Sequence, residues 1–301
     1  MTLHSTVADV SVSVLSHKQC HLGEGPSFDA SDGTLYWFDI LGRKLHGLHA
    51  ETGRESEILL PKMGTAIFSV DADRQLILME DGFHVRFRQS GVMALAIPVE
   101  ADNPLTRSND ARSHPCGAIW FGTMGKQAED GAGSIYHFHK GKVTKLYPSI
   151  SIPNAICFSP DGLTAYHTGG SGAILRASVD PETGLPNSDW QEFSALKDLG
   201  YPDGAVVDDE GYLWNARWGA GIVIRIAPDG EVVQVVDVPV RRHSSTGMPG
   251  RTPAPTAPPE TARRTTAFTT GCAPYATVAG AITETASDDE VPATNVAVVG
   301  V

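Results

Sequence analysis

Short apolar runs alternate with tight polar turns through the first 240 residues, and no stretch of that region carries a helical period of any length. Pro26-Ser-Phe-Asp-Ala-Ser-Asp-Gly-Thr-Leu-Tyr-Trp37 sets the plan: a short apolar strand, a Gly-centred turn, then a strand carrying aromatics. Ala111-Arg-Ser-His-Pro-Cys-Gly-Ala-Ile-Trp120, Ile156-Cys-Phe-Ser-Pro-Asp-Gly-Leu-Thr-Ala-Tyr166 and Val206-Val-Asp-Asp-Glu-Gly-Tyr-Leu-Trp214 repeat it. A second hairpin follows each first one, as in Lys44-Leu-His-Gly-Leu-His-Ala-Glu-Thr-Gly53 and Ile222-Val-Ile-Arg-Ile-Ala-Pro-Asp-Gly230. Alternating apolar and polar residues around Thr-Gly or Asp-Gly are a hairpin signal. The turns at Gly33, Arg74, Gly117, Gly162 and Gly211 lie 41, 43, 45 and 49 residues apart. A period of roughly 40–50 residues with four strands per unit is that of a β-propeller.

The repeat stops at Arg241. Residues 241–301 hold seven prolines, twelve threonines and eleven alanines but no tryptophan, so the composition no longer supports paired strands. Pro253-Ala-Pro-Thr-Ala-Pro-Pro259 falls where a sixth Gly-turn repeat is due. The expected fold is all-β, a six-bladed β-propeller over residues 1–240. Five blades are recognisable and the sixth is obscured by the Pro/Thr/Ala-rich segment 241–301. That segment reads either as a disordered tail or as the product of a shifted reading frame. Without a sixth blade, the strand at Val10–Leu15 loses its pairing partner and the ring keeps open edges.

Each unit also carries one polar residue eight or nine positions ahead of its turn: Glu24, Thr65, Asn109, Asn154 and Asp203. An equal offset in successive repeats is an equal position in space, so these side chains should converge on the axis, just before the innermost strand of each blade. Glu24, Asn154 and Asp203 offer only oxygen ligands, which suit calcium, magnesium or manganese better than zinc. An incompletely ligated cation polarises a carbonyl and acidifies a bound water, and Asp203 could serve that water as general base. Arg107 and Asn109, on the adjacent rim, present several hydrogen-bonding groups to a polyhydroxylated molecule. Taken singly, Pro-Asn and Pro-Asp-Gly are ordinary turn sequences, and only the shared offset sets the group apart. His21, His114 and His167 are expected to be structural. There is no Gly-x-Ser-x-Gly elbow, His-Glu-x-x-His or phosphate loop, and Gly169-Gly-Ser-Gly172 reads as a tight hairpin.

The formal net charge of −12, with scattered Lys and Arg, argues against nucleic acid and anionic membrane as partners. Met1 to His17 lacks a basic start and a continuous apolar core, and no eighteen apolar residues run together, so a cytoplasmic location is expected. Cys20, Cys116, Cys157 and Cys272 form no Cys-x-x-Cys and read as small buried thiols.

Gly23-Glu-Gly-Pro26, Arg107-Ser-Asn-Asp110, Phe121-Gly-Thr-Met-Gly125, Ile152-Pro-Asn-Ala155 and Tyr201-Pro-Asp-Gly204 resemble, in order, the motifs of the gluconolactonase/regucalcin (senescence marker protein) family. The resemblance runs from about residue 10 to 240, and Trp214-Asn-Ala-Arg-Trp218 is similar to its bacterial branch, L-arabinolactonases included. It implies a six-bladed propeller that opens sugar lactones with one divalent cation in the channel. It further implies that Glu24, Asn154 and Asp203 are the ligands, that Asp203 doubles as base, and that Arg107 and Asn109 contact the lactone. L-Arabinono-1,4-lactone and glucono-1,5-lactone are the implied substrates. A phosphotriester hydrolase on the same fold and a non-enzymatic calcium-binding or interaction propeller are the alternatives. Departures are Ala111 for a usual glycine, Lys126 where some relatives carry an acid that touches substrate, and Gly169-Gly170 for a frequent Thr-Asp.

Overall fold

A computed structural model describes residues 11–238 and 294–300 of the chain. These residues form an all-β propeller with five four-stranded antiparallel blades among them, each a meander whose strands pair in chain order. The innermost strands are Gly23–Asp29, Gly64–Ser69, Thr106–Ser113, Asn154–Phe158 and Tyr201–Val207. The matching outermost strands are Glu55–Leu59, Met93–Pro98, Lys142–Ile150, Gln191–Ala195 and Val232–Asp237. Among the described residues the only helix is one 3₁₀ turn, Lys197–Leu199, and no helix is long and apolar enough to cross a membrane.

Burial follows from the stacking of blades. Second strands are covered on both faces, so Thr34–Asp39 and Ile119–Gly125 are buried along their whole length, whereas the outermost Glu55–Leu59 is mostly exposed. The core therefore lies between blades rather than within them. Phe38, Leu45, Ile67 and Ile77 join blades 1 and 2; Leu78, Phe83, Phe121 and Tyr136 join blades 2 and 3. Trp120, Ile156 and Ala165 join blades 3 and 4; Tyr166, Ile174, Ala205 and Leu213 join blades 4 and 5. Each such large side chain contributes about 1.5–3 kcal/mol by leaving water, so every blade is held chiefly by its neighbours.

The predicted turns are the first hairpin of each blade. Gly33, Gly117, Gly162 and Gly211 have φ of +65°, +87°, +69° and +84°, the left-handed region that favours glycine. Blade 2 manages without glycine because the Asp71 carboxylate accepts from the amides of Asp73 (3.0 Å) and Arg74 (2.8 Å) and from the Arg74 guanidinium. Gly169–Gly172 links the second and third strands of blade 4, as its sequence suggested.

The strand expected at Val10–Leu15 forms as Ser11–Cys20 and does find a partner, Thr294–Gly300, in an antiparallel pair with Val12 opposite Val299. Alternating valines give that short run its strand character, against the expectation that segment 241–301 supplies none. Val12 packs on Val206, Trp214 and Val223 of blade 5, and Leu15 on Leu35 and Trp37 of blade 1, so the N-terminal strand lies between the last blade and the first. The remaining readings of the tail, Cys272 and the Pro-rich run included, and that of residues 1–10 lie outside the described residues. Cys20 and Cys157 are buried, whereas Cys116 is only half-buried beside His114.

Candidate functional site

Every innermost strand is irregular at the same place. The pairing with its neighbour slips between Glu24 and Ser27, Gly64 and Ala66, Ser108 and Ala111, Asn154 and Cys157, and Pro202 and Ala205. Bulges of this kind bend a strand and re-aim its side chains. The five equal-offset residues therefore lie at the bulges, inside the first strands and not ahead of them as expected. The apolar pairing continues toward the axis further than an alternating pattern reveals. Gly25, φ +58°, follows Glu24, and a Cβ there would collide with the backbone carbonyl of Thr65, so this glycine permits the close approach of blades 1 and 2.

Two cavities meet on the axis. The wider, about 360 Å³, opens between Leu22, Met124, Tyr201 and Trp218 and reaches down to Arg107. The narrower, about 80 Å³, is walled by Thr65, Asp110, Arg112 and Ser113. Glu24, Asn109, Asn154 and Asp203 line both and so stand where the two meet. All five predicted site residues thus share one cleft, and Thr65 faces only the narrower space.

Hydrogen bonds tie the rim together. Arg107 Nη1 donates to the Ser108 carbonyl (2.8 Å) and to Asn109 Oδ1 (2.9 Å). Asn109 Nδ2 in turn donates to Asn154 Oδ1 (2.7 Å) and the Pro153 carbonyl (3.0 Å). The Asn109 amide is thus engaged at both ends, so it orders Arg107 and Asn154 as well as facing the cleft. In blade 5, Asn215 Nδ2 grips the carbonyls of Asp203 (2.9 Å) and Gly204 (3.1 Å). The buried Arg217 holds Asn215 Oδ1 at 3.1 Å and also donates to the carbonyls of Leu196, Leu199 and Gly200.

The electrostatics are those of a crowded anionic centre. Burial, then the charges of Asp203 and Asp110, hold the Glu24 carboxyl well above the usual range, and Arg107 opposes them. Burial, with Asp110 adding to it, pushes Asp203 up to about 7. Asp110 is itself raised by burial, against the nearby Arg112. Arg107 is lowered by burial and partly restored by Glu24. Among the described residues no three His, Cys, Asp or Glu side chains gather as a metal cluster. The oxygen set here is two carboxyls and an amide.

Sequence reasoning missed Asp110, Asn215, Arg217, Tyr201 and Trp218. Asp110 and the two aromatics stood within quoted motifs without a role. Two-residue alternation in Trp214-Asn-Ala-Arg-Trp218 could have placed Asn215 and Arg217 on one face. Lys126 is paired with Glu80 at 2.5 Å rather than lining the cleft.

Residues 22–252 match the model of the SMP-30/Gluconolactonase/LRE-like region. A Rhizobium meliloti protein provisionally named a sugar lactone lactonase is 47% identical over 78% of this chain and 81% of its own. An Azospirillum brasilense L-arabinolactonase is 32% identical over 76% of this chain and 78% of its own. The crystal structure of a calcium-binding protein, regucalcin, from Agrobacterium tumefaciens is 47% identical, with a TM-score of 0.75 over 77% of this chain and 79% of that one.

Proposed function

The chain belongs to the SMP-30/gluconolactonase/LRE-like family, and from that premise we propose that it is a lactone hydrolase assisted by one divalent cation. The observation that carries this reading is the meeting of Glu24, Asn154 and Asp203 between two cavities, with Arg107 and Asn109 beside them. Buried carboxyls that raise one another's affinity for protons make a centre short of positive charge. Oxygen donors in that state suit calcium, magnesium or manganese, and suit zinc less.

Glu24, Asn154 and Asp203 would hold the cation, whose Lewis acidity polarises a carbonyl and acidifies a water. Asp203 takes the proton of the attacking water. The water oxygen bonds to the lactone carbonyl carbon, the ring C–O bond breaks, and Asp203 returns its proton to the ring oxygen, which leaves as a hydroxyl of the open aldonic acid. Arg107 and Asn109 hold the sugar ring, and Tyr201 and Trp218 offer an apolar wall to its other face. The substrate is L-arabinono-1,4-lactone in preference to glucono-1,5-lactone, a choice that the L-arabinolactonase relative supports. Residues 1–240 carry this activity in the cytoplasm.

The test is acid release from a panel of pentono- and hexonolactones, followed with a pH indicator, with each metal and with a chelator. Chelator-sensitive opening of a pentonolactone is expected. A parent protein that opens no lactone under any metal, yet binds calcium, would replace the enzyme with a calcium-binding propeller.

A further inference from the structure

We propose that Asp110 is a positioning residue for Asn154: it locks the blade-4 bulge that aims this amide at the axis. The inference rests on the reading of Asn154 as a cation ligand.

On a regular strand Asn109 and Asp110 would face opposite ways. The slip between Ser108 and Ala111 places both in the bulge, and both reach blade 4. Asn109 Nδ2 donates to the Pro153 carbonyl and to Asn154 Oδ1, at 3.0 and 2.7 Å. Asp110 Oδ2 accepts from the Ile156 amide at 2.8 Å. The three bonds bracket Ala155, which is fully buried with φ +54°. Side chains with a Cβ rarely adopt that conformation, and it persists only where the surroundings over-determine it. Asn109 holds the near side of Ala155, and Asp110 holds the far side. With the far side released, the peptide after Asn154 can relax to the extended form, and the amide oxygen swings off the axis.

A neutral amide could accept the same hydrogen bond without adding charge beside Glu24 and Asp203, which separates the lock from the charge. Three variants therefore decide the matter: Asp110→Ala removes the acceptor, Asp110→Asn keeps one, and Asp110→Ala with Ala155→Gly lets the bulge hold its conformation unaided. Amide hydrogen exchange of residues 154–156 is followed in chelator, and calcium affinity by titration calorimetry.

Asp110→Ala should speed exchange at Ile156 at least tenfold while distant blades exchange as before. It should weaken calcium binding by about 10–100-fold, as loss of a ligand's supporting partner does. Asp110→Asn should stay within about threefold of the parent, and the added Ala155→Gly should recover most of the calcium affinity. Unchanged exchange at Ile156 in Asp110→Ala would overturn the lock. Equal losses in Asp110→Asn and Asp110→Ala would also overturn it, assigning the effect to charge. If the parent binds no divalent cation, the reading of Asn154 as ligand fails, and the exchange arm still decides the lock.

Discussion

The first strands of blade 2 and blade 5 slip at the same place and present one side chain each toward the axis, Thr65 and Asp203. Thr65 spends its hydroxyl inside the wall, donating to Ser108 Oγ at 2.9 Å. Asp203 is held the other way: Asn215 takes its backbone carbonyl, and its carboxyl faces both cavities with little beyond the Gly204 amide to satisfy it. Position comes from the repeat, and both residues have it. Chemistry comes from what the local hydrogen bonds leave unspent, and of these two blades only blade 5 leaves a carboxyl facing the cleft.

The comparison breaks first at Asp203. Asp203→Asn keeps the shape and removes both base and charge, so kcat/KM for the lactone should fall by about 10³-fold or more. Circular dichroism should remain close to the parent. An active Asp203→Asn protein would remove the base from blade 5.

The same carboxyl makes a pH prediction for metal-free protein. Its folded pKa is raised from 3.8 to about 7, so the folded state binds more protons than the unfolded one between those values. Stability from this group is fully present below about pH 4 and is lost as pH rises through 7. Thermal unfolding in chelator should show that decline, and Asp203→Asn should make it shallower, leaving the part that the raised Glu24 and Asp110 carboxyls contribute. A parent whose stability climbs steadily from pH 4 to 7, with no difference in the variant, would contradict the burial argument.

Why blade 5 was legible and its support was not follows from distance along the chain. Glu24, Asn109, Asn154 and Asp203 could be found because blade size enforces their spacing, and the αL glycines of the turns mark the register. Asp110 acts on Ile156, 46 residues away, and Arg112 donates to the Ala205 carbonyl 93 residues away. Such partners meet only when blades pack, and no local pattern announces them. The bulges were equally hidden, because an extra residue leaves the apolar character of a strand intact. Strand pairing of Ser11–Cys20 with Thr294–Gly300 joins opposite ends of the chain, and composition alone pointed the other way.

A smaller effect is expected at the mouth of the cleft. Tyr201 is 60% exposed and Trp218 38%, with ring centroids 6.2 Å apart, and both line the wider cavity. They stand at the exposed end of the cleft and offer apolar area to a bound ring. Tyr201→Ala should raise KM by a few-fold, up to about tenfold, and leave kcat nearly unchanged, since an aromatic contact is worth about 0.5–1.5 kcal/mol. A fall in kcat at constant KM would instead place Tyr201 in the chemistry.

The smallest effect should come from blade 2. Thr65→Val is close to isosteric and deletes only the bond to Ser108, which lies inside the wall and away from the wider cavity. Stability should fall by about 1 kcal/mol, the usual net worth of a buried hydrogen bond. Turnover and calcium affinity should stay within about twofold of the parent, because the hydroxyl was already spent. If Thr65→Val were as damaging to turnover as Asp203→Asn, position at the bulge alone would be enough to make a residue functional, and the contrast between the two blades would dissolve. Urea unfolding of the variant beside a lactone assay separates these outcomes, since the first reads the wall and the second reads the axis.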